Sequence, residues 1–167
     1  MPFVSIALED VCREIDPFSL FRNGGAALVL AGGKRNALTL GWGSLGVLWR
    51  KPTLTLYVHA TRYSKGLFDK ATSFSYNVLL PEKRKALSYL GRVSGRTEDK
   101  IEGSGLTVVK DEVADYFLES SLVLLCTKMG ETDFSLPDVD EGVKDWYEKD
   151  GVHTLYFGEI KKVLKRV

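Results

Sequence analysis

The stretch "LTLGWGSLGVLWRKPTLTLYVHATRYSKGLF", residues 38–68, admits two folds. Its "GWGSLG" at 41–46 matches the dinucleotide fingerprint G-x-G-x-x-G to the letter and follows a strand-like run, which would make the chain an α/β nucleotide-binding protein. That fingerprint works only where a helix follows, because the pyrophosphate rests on the helix N-terminus. Here Val47, Leu48 and Trp49 follow, and then Pro52, with no helix start among them. Next comes "TLTLYVHA" at 53–60, whose Thr–Leu alternation has the two-residue period of a strand. The glycines keep two explanations: they let a ligand lie against bare main chain, or they relieve crowding at a barrel bend.

Further strand-like segments rich in Val, Leu, Thr, Tyr and Phe lie at 26–31, 37–42, 73–80, 116–129 and 152–165. "AGGKRN" at 31–36 joins the first two as a tight hairpin, so the sheet is expected to be largely antiparallel. Helical material is sparse: "DVCREIDPFSLF" at 10–21, ending before Pro17, then 64–71, 81–90 and 140–149. Strands outnumber helices without a βαβ rhythm, which predicts a mainly β protein, a closed or nearly closed β-barrel with peripheral helices. Residues 1–167 are expected to form a single domain, with 1–20 as a helical segment packed on it.

Composition narrows the function. No apolar run approaches the ~20 residues that span a bilayer, and the first 14 residues lack the pattern of a secretory leader. A cytoplasmic protein is expected. Cys12 and Cys126 are 114 positions apart and read as buried thiols, and a zinc site would have to use both of them with His59 and His153 at unrelated spacings. No metal is expected. The net charge of +1 hides an asymmetry: residues 34–110 hold 14 Lys and Arg against 5 Asp and Glu, and residues 111–150 hold 3 against 12. The basic half is where an anion would bind, although its cations are too scattered for a nucleic-acid stripe.

Two polar clusters stand out in that half. Thr61, Arg62 and Ser64 lie where a strand gives way to a helix, so that a guanidinium, two hydroxyls and free N–H groups could cradle a phosphate. "SGRTEDK" at 94–100 supplies Ser94, Gly95, Arg96 and Lys100; its plainer reading is a helix start with Thr97 as N-cap and Glu98 and Asp99 in the first turn. No acyl-transfer motif is present, and His153, at the head of the last strand-like segment, also fits a hydrogen-bonded structural residue.

Taken together, "NALTLGWGSLGVLWRKPTLTLYVHATRYS", "SFSYNVLL", "ALSYLGRVSGRTEDKI" and "GVHTLYFGEI" resemble the flavin reductase-like family of FMN-binding split-barrel proteins, from about residue 20 to the C-terminus. The resemblance implies a six-stranded antiparallel split barrel, a homodimer, and FMN held non-covalently near the interface. Asn36 and Thr39 match an Asn-x-x-Thr strand, and Gly41, Trp42, Gly43 and Ser44 match the loop along the isoalloxazine edge. Thr61, Arg62, Tyr63 and Ser64 match the stretch that holds the ribityl phosphate, Ser64 replacing a Thr, while Ser94, Gly95 and Lys100 match a second phosphate-side segment. His153 matches a histidine placed to touch nicotinamide and is the candidate catalytic residue. His59 stands where many relatives carry arginine, and the tryptophan often seen before the first strand is missing, which leaves the substrate side open.

With such a cofactor the hard chemistry is the flavin's, a hydride passing from NAD(P)H to N5, and backbone N–H groups at Gly43 or Ser44 would favour charge on the reduced ring. Three functions stay open: an NAD(P)H:flavin reductase-like oxidoreductase, an FMN electron carrier serving a protein partner, and a barrel holding haem or another planar ligand.

Overall fold

The computed structural model describes residues 2–167 and, within them, every side chain but that of Cys12. Strand β1 (Phe3–Ile6) precedes helices α1 (Val11–Glu14) and α2 (Pro17–Arg22); β2 (Gly25–Ala31), β3 (Lys34–Leu40), β4 (Gly43–Leu48) and β5 (Lys51–His59) follow. Then come α3 (Lys65–Phe68), β6 (Ser73–Leu79), α4 (Arg84–Arg92), α5 (Lys100–Ser104), β7 (Val108–Val109), β8 (Tyr116–Phe117), β9 (Ser120–Asp133) and β10 (His153–Arg166). The main sheet runs β3-β2-β6-β9-β10-β5-β4, with β1 on the far part of β10, and every pairing is antiparallel. The path is open between β3 and β4, which is the split of a mainly β split barrel.

Period-two alternation decides what each strand buries. In β2, Ala27, Val29 and Ala31 point into the barrel, where they meet Leu38 of β3, Leu54, Leu56 and Val58 of β5, Phe74 and Tyr76 of β6, Leu124 and Cys126 of β9, and Tyr156 of β10. Ala26 and Leu28, one residue out of step, pack outward with Leu90 of α4 and Leu106. Both faces of β2 are therefore buried, which is why "GAALVLA" is a continuous apolar run. Helix α2 closes one part of the interior through Leu20 and Phe21, and the buried Tyr76 hydroxyl donates to the carbonyls of Leu40 at 3.0 Å and Leu20 at 3.4 Å. Phe68 of α3 packs on Phe74 and Tyr156, with ring centroids 5.5 and 5.0 Å away. Cys126 is buried, and burial pushes its thiol pKa up.

Six expected strands are present, and several expected boundaries are not. The segment read as a glycine loop is strand β4, paired to β5 from Gly43↔Leu56 to Leu48↔Lys51. Its hairpin turns on Trp49 and Arg50, both left-handed at φ +50° and +61°, with none of the Asn or Gly that announces such a turn. The 116–129 run breaks at Leu118 and Glu119, where the Glu119 carboxylate accepts from the N–H and hydroxyl of Thr107, both at 2.9 Å. The 1–20 segment is not all helical, because Phe3–Ile6 add a strand to β10. Pro17 ends α1 as expected but also starts α2, with Asp16 as N-cap accepting from Phe18 N at 3.0 Å. The 64–71 helix is a single turn, and 140–149 holds 3-10 turns at Glu141–Trp146.

The fold's consequence for function lies in the β5-to-β6 connection. It crosses from one end of the sheet order toward the other, carrying residues 60–72 past the split. Asn36 Nδ2 of β3 donates to Ser64 Oγ at 2.7 Å and fastens the crossing there.

Candidate functional site: a cationic cavity joined to an aromatic one

Residues 61–64 and 92–100 are far apart in sequence and meet at one cavity of about 170 Å³, lined by Asn36, Thr61, Arg62, Tyr63, Ser64, Ser94, Gly95 and Lys100. Gly95 makes the meeting possible. A Cβ there would stand 2.6 Å from the Tyr63 ring and 2.9 Å from the Asn36 amide oxygen, so only a bare backbone lets this loop close on β3.

Arg92 and Arg96 also face the cavity, giving four cations around it with Arg62 and Lys100. None forms an ion pair among the described residues: Arg62 Nη1 reaches only the Gly91 carbonyl at 3.4 Å, and Arg96 Nη1 donates to Thr61 O at 3.2 Å. Lys100 is 5% exposed, and its ammonium has no hydrogen-bond partner among the described residues. Burial, and then the neighbouring Arg62, push its pKa down to about 8. Unpaired cations held this close repel one another, and an anion between them removes the repulsion. The nearby carboxylates are turned to other tasks: Glu98 accepts from the Tyr89 phenol at 2.5 Å, and Asp99 caps α5 by accepting from Ile101 N at 2.9 Å. Asp99 is thus the cap that the sequence assigned to Thr97.

Two sequence expectations change here. The helix after Ser64 has one turn, and the N–H groups of Arg62 and Lys65 already donate to the carbonyls of His59 and Arg62, so the side chains do most of the gripping. Ser64 is buried at 1% exposure with its hydroxyl against Asn36, a floor beneath the cavity.

Thr61 and Arg62 also border a second cavity, of about 340 Å³, together with Thr39, Leu40, Gly41, Trp42, Tyr57, His59 and His153. Rings define it. His59 and His153 face each other across the β5–β10 register, with centroids 4.9 Å apart, and Trp42 lies 4.8 Å from His153. The acidic segment before β10 adds Tyr147, whose hydroxyl is 3.2 Å from His153 Nδ1, and Trp146, whose ring is 6.1 Å from Trp42. Burial first, then His59 and Arg62, push the His153 pKa down to about 4, so its imidazole is neutral at pH 7. Thr61 N donates to His59 Nδ1 at 3.3 Å, which favours the proton on Nε2 of that ring when it is neutral.

Some expected contributors stand aside. The Thr39 hydroxyl donates to Leu87 O at 2.5 Å, tying α4 to β3. Gly43 and Ser44 line neither cavity; they are the first residues of β4. Crowding accounts for Gly43, since a Cβ would sit 2.3 Å from the Phe21 ring. The residues of the β3–β4 stretch that border the aromatic cavity are Thr39 to Trp42. Sequence reasoning missed Arg92, Tyr57, Trp146 and Tyr147. Arg92 ends an unremarkable helical run, and the two aromatic residues at 146 and 147 sit inside the acidic stretch 111–150, away from the basic half where an anion was sought.

No protein-family model and no curated protein matches this chain. Solved structures do. Flavoredoxin from Methanosarcina acetivorans is 25% identical over 86% of this chain and 68% of its own, with a TM-score of 0.68. An FMN-binding domain of a flavin reductases-like enzyme from Shewanella baltica covers 98% of this chain and 77% of its own at 12% identity and a TM-score of 0.73. An NADH:FAD oxidoreductase from Streptomyces globisporus is 15% identical over 86% of this chain and 75% of its own, with a TM-score of 0.66. The chain has the split-barrel fold of the flavin reductase-like FMN-binding proteins, as its sequence resemblance implied.

Proposed function

We propose that this protein binds FMN non-covalently and acts as an NAD(P)H:flavin reductase-like oxidoreductase. The observation that carries the reading is the cavity of four cations without a carboxylate partner among the described residues, with desolvated Lys100 among them, which shares Thr61 and Arg62 with a ring-lined space. Its donor set fits a phosphate, and the ring-lined space fits a planar aromatic ligand. When bound, the isoalloxazine supplies the hydride and single-electron chemistry.

The chain's own residues do the rest. Arg62, Arg92, Arg96 and Lys100, with the Thr61 and Ser94 hydroxyls, would hold the phosphate. Seating the dianion returns Lys100 to full protonation, because it offsets both the desolvation and the Arg62 repulsion. Trp42, Tyr57, His59 and His153 would surround the ring and exclude water from it. Neutral His153 would hold its one proton at a ring nitrogen while Tyr147 fixes the imidazole through Nδ1. The same reading includes a homodimer with the flavin near its interface, supported by edge strand β4 and the turn after it, where Val47 is 77% and Trp49 66% exposed.

Purified protein is expected to be yellow, to bind FMN in calorimetry, and to oxidise NADH or NADPH with added FMN; Arg62→Ala is expected to lose most of that binding. A colourless protein that ignores millimolar FMN would refute the reading, and a red one would favour haem. A second reading is an FMN electron carrier without nicotinamide oxidation. It is favoured by the 25% identity to a flavoredoxin, and flavin bleaching by a ferredoxin-type donor but not by NAD(P)H would select it.

A further inference from the structure

Strands β2 and β6 run side by side only from Ala26↔Asn77 to Val29↔Phe74. Past Asn77 they part: Gly24 turns the chain before β2 through a left-handed φ of +72°, while Val78 and Leu79 stay paired with β9. The fork holds a cavity of about 450 Å³, within the ~300–1,000 Å³ typical of small-molecule sites. It shares no residue with the cationic or the aromatic cavity.

Its walls are aliphatic. Val78, Leu79, Leu80 and Pro81 line it together with Leu87 of α4, and neither an aromatic side chain nor a carboxylate is among its lining residues. Of the polar side chains on it, the Ser121 hydroxyl is already engaged, donating to Val78 O at 3.1 Å. The Asn23 amide and the Arg84 guanidinium are exposed and have no side-chain hydrogen bond or ion pair among the described residues. The charge beside them is one-sided, since Arg22, Lys83 and Lys85 adjoin them in sequence against Glu82 alone.

These features select a ligand. With no ring in the wall there is nothing for a flat molecule to stack on, whereas Val and Leu side chains suit a flexible hydrocarbon chain. An arginine fork matches the two oxygens of a carboxylate, and one lining cation matches one negative charge. A phosphate dianion is better served by the four cations of the other cavity.

We propose that this cavity is a second ligand site, which takes a medium-chain aliphatic carboxylate with its head on Arg84 and Asn23 and its chain along Val78, Leu80 and Leu87. The proposal is independent of the flavin reading. Helix α4 carries Arg84 at one end and Arg92 at the other, about 12 Å apart along its axis. A carboxylate held by Arg84 therefore leaves the cationic cavity free.

The test is calorimetric titration of wild-type protein with hexanoate, octanoate, decanoate and octanol, and of Arg84→Gln and Lys100→Met with octanoate. Affinity is expected to rise about two- to fourfold for each added methylene, and octanol to bind more weakly than octanoate. Arg84→Gln is expected to weaken octanoate about fivefold and, being at an exposed position, to keep the wild-type melting temperature; Lys100→Met should leave octanoate binding unchanged. Absence of octanoate binding, an affinity independent of chain length, octanol binding as tightly as octanoate, or full-strength binding by Arg84→Gln would each overturn the proposal. A loss in Lys100→Met in place of Arg84→Gln would give the carboxylate to the cationic cavity and overturn it as well.

Discussion

The cationic cavity and the aromatic cavity share Thr61 and Arg62 yet are assembled in different ways. The first is made by two short loops, 61–64 and 92–100, each of which carries its polar groups in one local run. The second draws single residues from β3, β5, the β3–β4 connection and β10, with aromatic side chains of the acidic segment set against it. One half is therefore dominated by unpaired charge and the other by packed rings. Disturbing the first should change binding more than stability, while disturbing the second should change turnover and pH response more than binding.

The strongest test of that contrast is Lys100→Met. Losing a charge-assisted contact of ~1.5–3 kcal/mol should weaken FMN about 10- to 100-fold in calorimetry. The flavin-free variant should melt at a higher temperature than wild type, because a desolvated cation repelled by Arg62 has gone. A lower melting temperature would mean that Lys100 is a structural residue, and the contrast would break.

Gly95→Ala comes next. The new methyl has to displace the Tyr63 ring or the Asn36 amide, so urea unfolding should show a loss of about 1–3 kcal/mol. FMN affinity should fall with it, since the two loops are drawn apart. Unchanged stability would show that the loops are not locked together.

The aromatic half predicts a pH dependence. His153 has a folded pKa of about 4 against an ordinary value of 6.5, so on acidification the unfolded chain takes up the proton first. Stability from this group is present above pH 6.5 and is lost as pH falls toward 4. Denaturant midpoints measured across that window should fall less steeply in His153→Gln than in wild type. Equal slopes would show that His153 titrates as in water. The smallest effect belongs to Tyr147→Phe. Removing one hydrogen bond worth about 1 kcal/mol should lower kcat about fivefold and leave the Kd for FMN unchanged. A shift in FMN binding of the same size would merge the two halves into one functional unit.

The same division governs what could be read in advance. "TLTLYVHA" and "GAALVLA" announce strands because the two-residue period is a property of neighbouring side chains. "TRYS" and "SGRTEDK" announce an anion because each concentrates donors within a few residues. By contrast, β4 hid behind its glycines and a turn on Trp49 and Arg50, a left-handed pair that the barrel imposes and composition does not signal. Tyr147 lay in a stretch whose twelve-to-three acidic excess directed attention to the basic half instead; it is buried because the chain before β10 folds back over His59 and His153.

By itself the sequence determined the antiparallel strands, the failure of the dinucleotide fingerprint, and the two donor-rich loops, all of which depend on spacings of a few residues. Only the tertiary structure decided that the loops form one cavity, that its cations go unpaired, and that two histidines meet across a strand pair. Burial and charge pairing are set by distance in space, and chain closure brings Asn36, Arg62 and Lys100 together with no regard for their separation along the sequence.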